Sequence, residues 1–124
     1  MYIYENMNPK YARVGDCVIR ALSSNMERSW DSLYSELAGY GYAMKDMPSS
    51  NAVWNALLKD HGYKREIISD QCPECYTVRD FCRDHPNGFY ILGTGSHVIS
   101  VKNVEYYYTW DSGNEIPVYY YWKE

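Results

Sequence analysis

Three residues of this 124-residue chain combine reactive side chains with surroundings that suit nucleophilic chemistry: Cys17, His97 and Asp111. Cys17 lies in Arg13-Val-Gly-Asp-Cys-Val-Ile-Arg-Ala-Leu22, where Gly15 permits close backbone approach and Asp16 is a good helix N-cap. A thiol in the first helical turn feels the positive end of the helix dipole, which favours the thiolate, and the free N–H groups there suit an oxyanion. The same position equally suits a small buried hydrophobe. His97 follows Gly93-Thr-Gly-Ser96, whose small side chains leave space beside an imidazole. Asp111 follows Tyr106-Tyr-Tyr-Thr-Trp110 and precedes Ser112-Gly113, a setting that also fits an ordinary turn.

The elements that must carry these residues can be read from spacing. Val18, Ile19, Leu22 and Met26 form a helical stripe after Asp16. Ser29 caps a second helix with Trp30, Leu33 and Leu37, ending near Gly39 or Gly41. A third begins at Ser49 or Ser50, carries Val53, Trp54, Leu57 and Leu58, and stops at Gly62. Tyr63 to Ile68 reads as a strand, and Thr77-Val-Arg-Asp80 as a capping box opening a short helix. Phe89 to Leu92, His97 to Lys102, Tyr106 to Trp110 and Val118 to Trp122 read as strands. If Lys102 pairs with Tyr106 across the loop Asn103-Val104-Glu105, paired positions sum to 208 and His97 faces Asp111. Their Cβ atoms would then lie ~5 Å apart on one face, whereas a slip of one residue would separate them.

A Cys at a helix start, a His to take its proton and a carboxylate to orient the His form a nucleophilic triad. In the order Cys, His, Asp, these residues resemble the papain-like cysteine peptidase superfamily, and within it a group of small phage and bacterial proteins. The resemblance rests on Gly15-Asp-Cys-Val-Ile-Arg-Ala-Leu22, Gly95-Ser-His-Val-Ile-Ser-Val101 and Thr109-Trp-Asp-Ser112. Thr77-Val-Arg-Asp-Phe81 and His85-Pro-Asn-Gly-Phe-Tyr-Ile-Leu92 extend it over most of the chain. It implies an α+β, papain-like fold in one domain over residues 1–124, with N-terminal helices packed on a small antiparallel sheet. It also implies a thiol hydrolase of amide or isopeptide bonds, without cofactor or metal, acting on a peptide or protein substrate. Cys17 would be nucleophile, His97 general base and acid, and Asp111 the orienting residue. Papain-like peptidases place a Gln before the Cys for the oxyanion hole, but this chain reads Asn8-Pro-Lys-Tyr-Ala-Arg-Val14 there. Asn8 is the side-chain amide that stands in for it. The missing Gln leaves open a catalytically silent binding module that engages a protein partner.

A second constellation, Cys72-Pro-Glu-Cys75 with Cys82 and His85, has the spacing C-x2-C-x6-C-x2-H, which could hold zinc as a structural site. Reduced structural thiols explain it without metal. The formal net charge of −4 argues against generic nucleic-acid binding, and no apolar run reaches the ~18 residues of a membrane span. Met1-Tyr-Ile-Tyr-Glu-Asn6 carries no basic segment leading into an apolar stretch, so the expectation is a cytoplasmic protein of a bacterial or phage-infected cell. Fifteen Tyr against two Phe give the aromatic surface polar handles, either as the wet side of a sheet or as a peptide-binding groove.

Overall fold

A computed structural model describes residues 1–68 and 76–123. The element order is β1 (Tyr2–Tyr4), α1 (Cys17–Met26), α2 (Trp30–Met44), α3 (Asn51–Asp60), β2 (Lys64–Ile67), α4 (Val78–Asp84), β3 (Phe89–Gly93), β4 (Val98–Lys102), β5 (Glu105–Tyr108) and β6 (Tyr119–Trp122). The strands form one sheet in the order β1-β5-β4-β3-β6-β2. The class is α+β as expected, but the sheet is mixed rather than antiparallel, because β1 joins its edge parallel to β5. A Tyr-Ile-Tyr strand of three residues is too short to display a period of two.

Alternating side chains give the sheet two buried faces. Ile91, Val98 and Tyr121 pack with α1, α2 and α3 in one cluster. Leu92, Ile99, Val101, Tyr106 and Tyr108 pack with Val78, Phe81 and Cys82 of α4 in the other. Cys17 touches both clusters, which puts the first residue of α1 where the two layers meet. No helix among the described residues is long and apolar enough to cross a membrane.

Local chemistry explains where the helices stop and start. Ser29 accepts the Ser32 N–H at 3.1 Å, and Thr77 with Asp80 completes a reciprocal capping box at α4. Helix α2 runs past both expected terminators to Met44. Gly41 is there for close approach instead: a Cβ would stand 2.7 Å from the Asp46 carbonyl oxygen of the returning chain. At the far end of α1, the buried Asn25 amide aims at the carbonyls of Tyr90 (2.8 Å) and Val101 (3.2 Å) and the Ser100 hydroxyl (3.1 Å). Lys102 donates to the Ser24 carbonyl at 3.1 Å. The helix that carries Cys17 is therefore held to the sheet strands by buried polar contacts as well as by packing.

Candidate functional site

Cys17 opens α1 and is partly exposed. Asp16 stands at the N-cap, yet its carboxylate makes no capping hydrogen bond. It instead accepts from Asn8 Nδ2 (3.0 Å), Arg20 Nε (2.8 Å) and Trp30 Nε1 (3.0 Å). Burial pushes its pKa up, but the Asn8, Arg20 and Trp30 donors with the Arg20 charge more than offset this and hold it below the usual carboxylate range. The first-turn amides of α1 beside the Cys17 thiol are thus left without a side-chain cap.

Asn8 is buried, and its Nδ2 is directed onto Asp16 rather than toward an oxyanion. Its Oδ1 accepts the Lys10 N–H at 2.9 Å and its carbonyl accepts the Tyr11 N–H at 3.0 Å. The residue shapes the loop leading to Cys17, in place of the oxyanion role expected for it.

His97 sits just ahead of β4 and is 8% exposed. Its ring lies 4.5 Å from that of Tyr108 and 5.1 Å from that of Trp110, centroid to centroid. Nε2 is 2.6 Å from Glu115 Oε1. A carboxylate only accepts, so Nε2 carries the proton in this contact, and in the neutral ring Nδ1 is the basic nitrogen. Nδ1 is buried and has no hydrogen-bond partner among the described residues. No hydrogen bond joins Cys17 to His97 among the described residues, and Tyr108 is a neighbour of both. It belongs to a cluster that Cys17 packs against, and its hydroxyl pKa is raised first by burial and then by the Cys17 charge. Tyr119 is a second aromatic neighbour of Cys17. Its ring covers Gly93, where a Cβ would fall 2.3 Å from it, and burial first, with a smaller contribution from the Cys17 charge, raises its pKa.

The third position differs from the expectation. Asp111 does not contact His97; its Oδ2 pairs with Arg79 at 3.0 Å, and its Oδ1 accepts the Tyr106 hydroxyl (2.5 Å) and the Gly113 N–H (2.9 Å). The Tyr106 hydrogen bond first, then the Gly113 N–H and Arg79 outweigh desolvation and hold its pKa down. The cause of the difference is register. Lys102 pairs with Glu105 and Val101 with Tyr106, so positions sum to 207 and not 208. Extended beyond the ladder, this register brings Trp110 opposite His97, in agreement with the ring contact. The loop is the two-residue turn Asn103-Val104, both residues having positive φ (49° and 72°), as a type I′ hairpin requires. A β-branched residue rarely takes that conformation, which is why the sequence favours the longer loop.

Glu115, to which no sequence motif pointed, fills the place beside His97. Its backbone is held by α4: the Val78 N–H donates to the Glu115 carbonyl at 2.9 Å, and the Arg79 N–H to that of Gly113 at 3.2 Å. Trp110 Nε1 donates to its second carboxylate oxygen at 3.3 Å. The available signal was weak: one more acidic side chain in the Trp110 to Glu115 loop, five residues beyond the Trp.

Cys82 is fully buried in the α4 cluster, and burial pushes its thiol pKa up to about 11. His85 stacks on Phe81 at 4.0 Å, with Nδ1 2.9 Å from the Phe81 carbonyl oxygen. Both are accounted for by packing. Cys72 and Cys75 lie outside the described residues, among which no cluster of His, Cys, Asp or Glu is arranged to hold a metal ion. Compared with known proteins, the chain matches no family model, no curated protein and no solved structure.

Proposed function

We propose that this protein is a thiol hydrolase of amide or isopeptide bonds, organised in the papain-like manner, with Cys17 as nucleophile, His97 as general base and acid, and Glu115 as the residue that positions His97. The observation that carries the reading is the His97 ring, with Nε2 on the Glu115 carboxylate and Nδ1 buried without a partner among the described residues. The bare Nδ1 takes the Cys17 proton as Sγ attacks the carbonyl carbon. The resulting oxyanion is held by first-turn N–H groups of α1. On collapse the C–N bond breaks and the Nδ1 proton goes to the leaving amine. Water, deprotonated by the same nitrogen, attacks the thioester; the C–S bond breaks, and acid and thiol are released. Peptidase and deamidase outcomes differ in the amide attacked and the amine released, and a transferase outcome in the acyl acceptor, not in these residues.

One observation favours the rival reading of a silent binding module: Asn8 spends its amide on Asp16, so the oxyanion site relies on backbone donors alone. Alkylation by iodoacetamide, mapped by mass spectrometry, separates the two. Cys17 is expected to react at pH 6 about tenfold or more faster in the wild type than in His97→Ala. Equal rates in the two proteins would refute the hydrolase and favour the binder.

A further inference from the structure

A cavity of about 670 Å³ opens beside the turn that enters α1, with Tyr4, Tyr11, Arg13, Gly15, Arg20 and Trp110 in its walls. Its size is in the ~300–1,000 Å³ range of ligand sites. It adjoins the proposed chemistry at two points. Gly15 is two residues from Cys17, and the Trp110 ring in its wall is the one that lies against His97.

The charges in the wall are unequal. Arg20 is neutralised by Asp16 at 2.8 Å. Arg13 is exposed and has no ion pair, hydrogen bond or ring contact among the described residues. Among the described residues the wall contains no carboxylate. Tyr4, Tyr11 and Trp110 are each more than half exposed and rim the opening, an apolar patch with polar tips. The Tyr11–Arg13 wall is braced from behind. Asn8 holds the turn at Lys10 and Tyr11 and is tied in turn to buried Asp16, while Tyr11 itself is kept at a left-handed φ of 52°. Non-glycine residues hold such a conformation where surrounding structure imposes it, and such positions cluster at ligand clamps.

We propose that this cavity binds a carboxylate-bearing segment of the peptide substrate next to the scissile bond, with the Arg13 fork pairing the carboxylate and Tyr11 and Trp110 packing the neighbouring chain. The link to a scissile bond rests on the thiol-hydrolase reading; the pairing of Arg13 with a carboxylate does not. An acidic side chain and a C-terminal carboxylate offer the same chemistry, so the test separates them.

The Cys17→Ala protein, which lacks the proposed nucleophile, is titrated by NMR with three peptides: acetyl-Ala-Tyr-Glu-Ala-amide, its Gln counterpart, and the Gln peptide with a free C-terminal carboxylate. The Gly15 amide and the Trp110 indole report on the cavity. A carboxylate peptide is expected to bind about fivefold or more tightly than the Gln amide, and the ratio to approach one in Arg13→Ala. Arg13→Glu should reverse it, so that a fourth peptide with Lys in place of Glu binds that variant more tightly than the Glu peptide does. Preference for the Glu peptide identifies a side chain as the carboxylate source, and preference for the free acid identifies a chain end. Equal binding of all three, a ratio unchanged by Arg13→Ala, or no shifts at millimolar peptide overturns the proposal. Failure of the hydrolase reading shows separately, as equal alkylation of Cys17 in the wild type and His97→Ala, and leaves the peptide ratio to decide the subsite alone.

Discussion

Replacing Glu115 by Gln keeps the shape and an acceptor oxygen beside His97 and removes only the charge. The contact is 2.6 Å long, and its two side chains are 6% (His97) and 33% (Glu115) exposed. A hydrogen bond to a charged group contributes ~1.5–3 kcal/mol, and the partial exposure of Glu115 argues for the lower end. At about 1.5 kcal/mol the rate of Cys17 chemistry, read as alkylation or as turnover at neutral pH, should fall roughly tenfold. In a His97→Ala background the same substitution should add almost nothing, because the group it acts through is gone. Asp111→Asn is the companion measurement. That carboxylate faces Arg79, Tyr106 and the Gly113 N–H, with its ion pair nearly half exposed, so the rate should change by less than about threefold. An Asp111→Asn loss as large as that of Glu115→Gln would refute the assignment. So would a Glu115→Gln loss that persists in full without His97.

Two further perturbations test the scaffold. Asp16→Asn removes a buried charge paired with Arg20 and should cost about 3 kcal/mol at pH 7 in urea unfolding. Because the folded carboxyl titrates below its unfolded value, this contribution is complete above about pH 4 and is lost as pH falls through the lower folded value. The gap between wild type and Asp16→Asn should therefore shrink at pH 3, and an equal gap at both pH values would contradict the argument. Val104→Gly relieves a β-branched residue held at a φ of 72° and should stabilise the protein by about 0.5–1 kcal/mol, seen as a higher urea midpoint. A lower midpoint would mean that the hairpin does not depend on that turn.

The elements were legible where local chemistry specified them. The Thr77 and Asp80 capping box, the Ser29 cap and the apolar stripes of α1 and α3 lie where spacing puts them, because each is decided within one or two turns of chain. Gly41 misled because a glycine reads as a helix end, whereas here it makes room for Asp46 and Pro48, a contact formed only when the chain folds back. The edge strand β1 went unseen because its pairing partner is over a hundred residues away. Asp16 was expected to cap α1, but Asn8, Arg20 and Trp30 converge on it, and three donors outcompete the helix amides.

The residue types by themselves determined an α+β chain with a thiol at the start of a helix and an imidazole at the start of a strand, since both depend on local propensity and periodicity. Tertiary structure decided which carboxylate meets that imidazole. A shift of one position in the β4–β5 register exchanges the faces on which side chains emerge, so Trp110 takes the place beside His97 where Asp111 was expected. The hydrogen bonds from α4 then bring Glu115 in from the following loop. Register in this hairpin turns on the conformation of Asn103-Val104, which residue types alone disfavour, and the anchoring of Glu115 depends on α4, more than thirty residues earlier in the chain.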